Sequence, residues 1–207
     1  MTSKTADVVM LCKGANMILS NLDQAFLYQK KGYDAECRSG FYTIADEDVA
    51  KKYAVKFSNV GETPIVNYYR FELGRMKRDC IRQSYFNDLS FKSMDYVGRN
   101  ISGIFPENCT FKDLGKHPRD LCFECENSSC SWSAPYIEAI LSDNVDFSFD
   151  DTLKAFIVKD ITEEVAVERI NSMLHQNHST LRIRVVVRAG AQEYLHYSHY
   201  QSLPIKE

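Results

Sequence analysis

The spacing of four cysteines constrains this chain more than any other feature of its sequence. Cys109, Cys122, Cys125 and Cys130 lie in the segment CTFKDLGKHPRDLCFECENSSC and read C-x12-C-x2-C-x4-C, with His117 inside the first gap. Zn²⁺ takes four N or S donors in a tetrahedron. A C-x-x-C turn supplies two thiolates from neighbouring backbone positions, and a longer loop returns the others. The spacing predicts one structural zinc on these four cysteines, with His117 as the one substitute ligand. A closed four-ligand site leaves no open position for substrate, so a zinc here serves folding rather than catalysis. The competing reading makes the thiols small buried apolar side chains in a reducing compartment. Cys12, Cys37 and Cys80 are scattered and read as core residues.

A chain of 207 residues builds one sizeable core or two lobes of about 100 residues each. With 44% hydrophobic and 26% charged residues it has the composition of an ordinary folded protein. The formal charge of −3 argues against coating nucleic acid through bulk charge, while leaving room for local basic patches. No apolar run approaches the roughly 20 residues that span a bilayer, and Asp7 and Lys13 interrupt the first segment. The expectation is a cytoplasmic or nuclear protein, in which an odd set of seven cysteines reads as thiols or metal ligands rather than disulfides. The N-x-S/T sequons at Asn100, Asn108, Asn127 and Asn177 are then chance matches.

Periodicity predicts a helix over 16–31 and a strand over 39–44, followed by a helix or a second strand to Phe57. It predicts a strand over 63–73 with one buried face, closed by Gly74, and a helix over 75–89. Ser90 caps a further helix to about Ile101. After the cysteines come a helix over 134–141, a strand from Val145 to Phe149, and an apolar strand over 153–158. Asp160 and Glu163 cap a helix with apolar face Val167, Ile170, Met173 and Leu174. A strand over 180–188 follows, with Leu181, Ile183, Val185 and Val187 inward and Arg182, Arg184 and Arg188 outward. The turn Ala189-Gly190-Ala191 leads to a final strand over 193–200. The resulting fold class is α+β: mixed helices and a small, mostly antiparallel sheet with a zinc-type cysteine loop mid-chain. Its parts are a mixed N-terminal portion (1–105), the cysteine segment (106–133) and a β-β-α-β-β portion (134–207), three parts that also fit a single domain.

Chemistry-bearing motifs are few. The nucleophile elbow, the phosphate-binding loop and the dinucleotide fingerprint are all missing from the sequence. His117-Pro118 with Cys122-x-x-Cys125 has part of a zinc-deaminase pattern, but Arg119 stands where the catalytic glutamate belongs. The pairs His175/His178 and His196/His199 lack the spacing and the glutamate of a metal motif, so the chain reads as non-enzymatic. Two basic stretches remain. Arg75, Arg78 and Arg82 share one face of the helix expected there. Arg182, Arg184 and Arg188 on a strand, followed by Tyr194 and Tyr197, are the guanidinium groups and rings that RNA or a single strand uses. The same residues suit a protein interface. The first expectation is therefore a zinc-stabilised nucleic-acid-binding or regulatory protein. The alternative is an assembly subunit that forms a homo-oligomer or binds an acidic partner, with Asp143–Asp151 as the acidic surface of a second copy.

Overall fold

The computed structural model describes residues 7–22, 40–79, 83–102, 134, 136–144, 146 and 148–205. They form an α+β fold with one seven-stranded mixed sheet. Its strands are β1 (Val9–Ala15), β2 (Phe41–Ile44), β3 (Ile65–Phe71), β4 (Gln83–Phe86), β5 (Tyr136–Ser142), β6 (Leu181–Val187) and β7 (Leu195–Ser202). Five α-helices lie wholly within the described residues: α1 (Glu47–Phe57), α2 (Leu73–Arg78), α3 (Phe91–Ser102), α4 (Asp150–Ile157) and α5 (Glu163–Gln176). A 3-10 turn, Ala189–Tyr194, joins β6 to β7.

The strand order is β4-β5-β6-β2-β1-β3-β7, with every neighbouring pair antiparallel except β4 and β5. The sheet is thus larger than the small one expected, and strands from 1–105 and from 134–207 interleave in it. β6 and β7 do not form a hairpin: β7 lies across the sheet against β3, so the β-β-α-β-β unit does not exist as a unit.

Alternation along the strands sorts the core into two faces. On one, Cys12, Val66, Tyr68, Val186, Ile137, Ala139 and Phe86 meet helices α1, α3, α4 and α5. On the other, Leu11, Phe41, Tyr69, Phe71, Tyr136, Val185 and Val187 meet Met76 of α2, Tyr194 of the 3-10 turn and Leu19. That second face is concave. Phe71 on β3 and Tyr136 on β5 stack with centroids 5.3 Å apart although three strands separate them. A flat sheet would hold them about 19 Å apart at the usual strand spacing.

β1 and β2 meet at one residue pair, Cys12 with Ile44, whereas β1 and β3 share seven and β5 and β6 share seven. The sheet is therefore two well-knit blocks, β4-β5-β6-β2 and β1-β3-β7, joined at a short seam. Helix α1 packs over the β1 side of that seam. Asp46 starts it by accepting from Asp48 N at 3.1 Å and Val49 N at 3.2 Å. Its small residues Ala50 and Ala54 are fully buried and press so closely on β1 that a Cβ at Gly14 would strike the Ala50 carbonyl and the Ala54 amide.

Several elements differ from the sequence expectation. Residues 16–21 run as an irregular segment with helix beginning only at Leu22, and residues 23–39 lie outside the described residues. The 63–73 strand is buried on both faces, since it lies inside the sheet: Val66, Asn67, Tyr69 and Phe71 are all 0% exposed. Gly74 is not a stop but sits within α2, a short helix followed by strand β4 in place of one helix to Leu89. Residues 136–142 are strand rather than helix, while 153–157 fall in helix α4 rather than in a strand. Phe149 precedes that helix instead of ending a strand, and Thr162, not Asp160, caps α5. The strand expected over 39–44 is present as Phe41–Ile44, and the helix from Ser90, the apolar residues of α5 and strand β6 are present too.

Candidate interaction surface

The arginine face of β6 is partly covered, since residues 181–184 are half-buried and 185–187 buried, so its arginines are not the open row that strict alternation suggested. Val186, on the arginine face, is 0% exposed. Long arginine stems run under the helices while their heads reach partners at the margin. Arg182 Nε lies 2.9 Å from Asp46 Oδ2, out of line for a hydrogen bond, and its Nη2 lies 3.8 Å from Asp143 Oδ2, so both contacts are coulombic. The Arg184 guanidinium covers the rings of Tyr42 at 5.4 Å and Tyr53 at 5.6 Å and donates to the Tyr53 hydroxyl at 3.0 Å. Arg188 reaches the Ala134 carbonyl and the Tyr96 hydroxyl, each at 3.5 Å. An external anion is not needed to hold these three cations in one row, because carboxylates and rings of the same chain already face them.

Asp143, expected on an acidic surface for a second copy, serves this internal network. Burial would raise its carboxyl, but the hydroxyls of Ser179 and Thr180 and the Thr180 amide outweigh that and hold it at about 2.

The second basic group is likewise neutralised locally. Arg75 lies 3.1 Å from Glu72 and 3.8 Å from both Asp79 and Glu193. It also covers the ring of Tyr194 at 5.4 Å, whose hydroxyl donates to Asp79 at 2.9 Å. Arg78 pairs with Asp7 at 3.2 Å. Arg82 lies outside the described residues. Tyr194 is 2% exposed and acts as a plug of the concave core rather than as a stacking platform.

Strand β7 is different. It stands at the edge of the sheet with six of its eight residues exposed, and LHYSHYQS carries no Asp, Glu, Lys, Arg or Pro. Side chains fix it firmly to β3. Tyr68 and His199 stack at 4.4 Å, Tyr69 and Tyr197 meet edge to face at 5.8 Å, and the Tyr68 hydroxyl donates to Gln201 at 2.9 Å. A bulge places Ser198 between the Tyr69–Tyr197 and Tyr68–His199 pairs, which turns His196 and His199 to the same face. His196 meets Glu72 at 3.3 Å there. Sequence reasoning recognised Tyr197 but not the edge itself, since strand order is not readable from one strand's pattern.

Among the described residues, no group of three or more His, Cys, Asp or Glu side chains is placed to hold a metal. Cys109, His117, Cys122, Cys125 and Cys130 lie outside the described residues, as do Cys37 and Cys80. Cys12 is a core residue, 3% exposed, and burial followed by the Glu47 charge pushes its thiol up to about 11. Among the described residues no helix is long and apolar enough to cross a membrane. No family model matches this sequence, and neither does any curated protein or solved structure.

Proposed function

We propose that this chain is a non-enzymatic assembly protein that pairs with a second copy of itself, edge to edge through β7. The observation behind this reading is that β7 is a long, uncharged sheet edge held rigid by β3. Natural proteins blunt such edges with lysine, proline or shortness. Here the Ser198 bulge is the one such device on the strand. A two-fold antiparallel contact fits better than a head-to-tail one, because the opposite edge, β4, offers only four residues. A strand without formal charge also opposes its own copy without setting like charges together. The nucleic-acid reading keeps one supporting observation: exposed Arg70 stands beside His196 on the neighbouring strand, and the Tyr200 ring on that strand is 47% exposed.

Light scattering across a concentration series tests the proposal. The expected mass approaches twice 23.8 kDa for the native chain and stays near the single value for a Ser198→Lys/Tyr200→Lys edge variant. A native chain that stays monomeric throughout would overturn it. If single-stranded RNA then binds with an affinity that falls steeply with salt, the nucleic-acid reading takes its place.

The same reading includes a structural zinc on Cys109, Cys122, Cys125 and Cys130, supported by their spacing. Elemental analysis should return one zinc per chain, and Cys122→Ser should lose several kcal/mol of stability, because metal binding there is folding free energy. Protein purified without chelator and free of stoichiometric metal would contradict it.

A further inference from the structure

Strand β7 ladders with β3 over seven residue pairs, from Ile65–Ser202 to Phe71–Leu195, and the middle one is Tyr68–His199. His199 therefore stands at the centre of the laddered part of the edge, with three paired residues on either side of it. Its exposed ring is stacked on Tyr68, with centroids 4.4 Å apart and planes 4° apart. The Ser198 hydroxyl lies 3.0 Å from its Nδ1. Nε2 is the nitrogen that remains for another contact.

Pairing of β7 with a second copy fixes what His199 meets, and the inference drawn here rests on that reading. The copies are related by a two-fold axis, so the register that matches all seven laddered positions of one strand with those of the other is centred on their middle residue. It sets His199 opposite His199 of the second copy, His196 opposite Gln201, Tyr197 opposite Tyr200 and Leu195 opposite Ser202. Faces match throughout. His196, His199 and Gln201 lie on the Tyr68 side of the sheet, and Leu195, Tyr197, Tyr200 and Ser202 on the Tyr69 side. Each Ser198 bulge then faces an unbulged step of the other strand, as it does on β3. A slip of one residue would oppose side chains from different faces, and a slip of two leaves laddered positions unpaired.

Opposed residues on one face of an antiparallel pair have Cβ atoms about 4.5–5.5 Å apart. Two imidazoles rooted that closely reach a single cation, since a zinc–nitrogen bond is about 2.0–2.1 Å. We propose that the two His199 side chains form a divalent transition-metal site on the two-fold axis, for an ion that imidazole suits: Ni²⁺, Cu²⁺ or Zn²⁺. Each Nε2 lone pair makes one bond and water fills the remaining positions. The Nδ1–H donates to Ser198, which holds the ring in the tautomer that ligates. One copy supplies one such ligand, so the site exists only in the pair. His196 takes no part, because it faces Gln201 of the second copy and meets Glu72 at 3.3 Å in its own chain.

The probe is Ni²⁺ added to the full-length chain at about pH 7.5, where an ordinary imidazole is mostly neutral. Light scattering reads dimerisation over protein concentrations that span dissociation. With one ion per pair, the dimer dissociation constant should fall about tenfold for each tenfold rise in nickel beyond the site's own constant. His199→Phe keeps a ring to stack on Tyr68 but has no ligand. Its circular dichroism should match that of the native chain, its dimerisation should ignore nickel, and equilibrium dialysis should show one ion fewer per two chains. His196→Gln should respond as the native chain does; loss of its response would overturn the register. A native chain that dimerises equally with and without nickel would overturn the metal site and leave β7 pairing standing. One that stays monomeric in both would overturn both. A response that survives in His199→Phe would place the metal at another site, the cysteine segment included, and overturn this one.

Discussion

Asn67 is the side chain whose burial most needs explaining, and its partners supply the explanation. It is 0% exposed, accepts from Leu19 N at 2.8 Å and donates to the Met17 carbonyl at 3.1 Å. It therefore ties the segment after β1 across the concave core. Asn67→Ala should cost about 1–3 kcal/mol in a urea titration, since it strands the buried Leu19 amide and loses the part-buried bond to the Met17 carbonyl. Lys13 makes the opposite prediction about charge. Its folded value near 7 lies below the ordinary lysine value of 10.5, so the unfolded chain binds more protons between those limits. Its contribution to stability is full above 10.5, falls as pH falls, and is gone below about 7. The stability of the native chain relative to Lys13→Met should therefore rise from pH 7 to 9.5, and a flat difference would show that the amine is not depressed. At this scale the sequence was partly legible. Alternation placed Val185 and Val187 inward correctly, but the exposure of Arg182, Arg184 and Arg188 depended on what covers the other face, and that is set by α1 and α3, far away in the chain.

Elements with a signal at their ends were the easiest to read. Ser90 before α3 and the apolar spacing of Ile170 and Leu174 in α5 both led to the right element. Elements whose type is settled by neighbours were not. YIEAILS has helix-forming residues, yet it lies between β4 and β6 with its apolar residues buried on both faces, a pattern that periodicity cannot separate from a buried helix. Asp150 and Asp151 looked like a turn but occupy the first turn of α4, where negative charge favours the helix N-terminus. The contact of α1 with β1 rests on the absence of a side chain at Gly14. Gly14→Val should destabilise by about 1–3 kcal/mol or more, read as a lower denaturation midpoint, because backbone atoms of α1 cannot yield as a flexible side chain would.

Taken as a whole molecule, the chain threads both of its halves through one curled sheet. Two blocks meet at the Cys12–Ile44 pair, and the outermost strand carries neither charge nor proline. The threading, the seam and the edge position of that strand were not legible in the sequence, because strand order is a long-range property and each strand reads alike wherever it is inserted. Among the described residues the basic groups that pointed toward nucleic acid are largely answered from within the chain, and the β7 edge is the surface through which we propose that a second copy pairs. Hydrogen exchange of residues 195–202 as a function of protein concentration tests this most directly. In an edge strand, alternate backbone amides point away from β3 and exchange freely until another strand covers them. Edge-to-edge pairing predicts that these amides exchange quickly in dilute protein and become protected as concentration rises, with the amides facing β3 protected throughout. Exchange at β7 that does not change with concentration would contradict it.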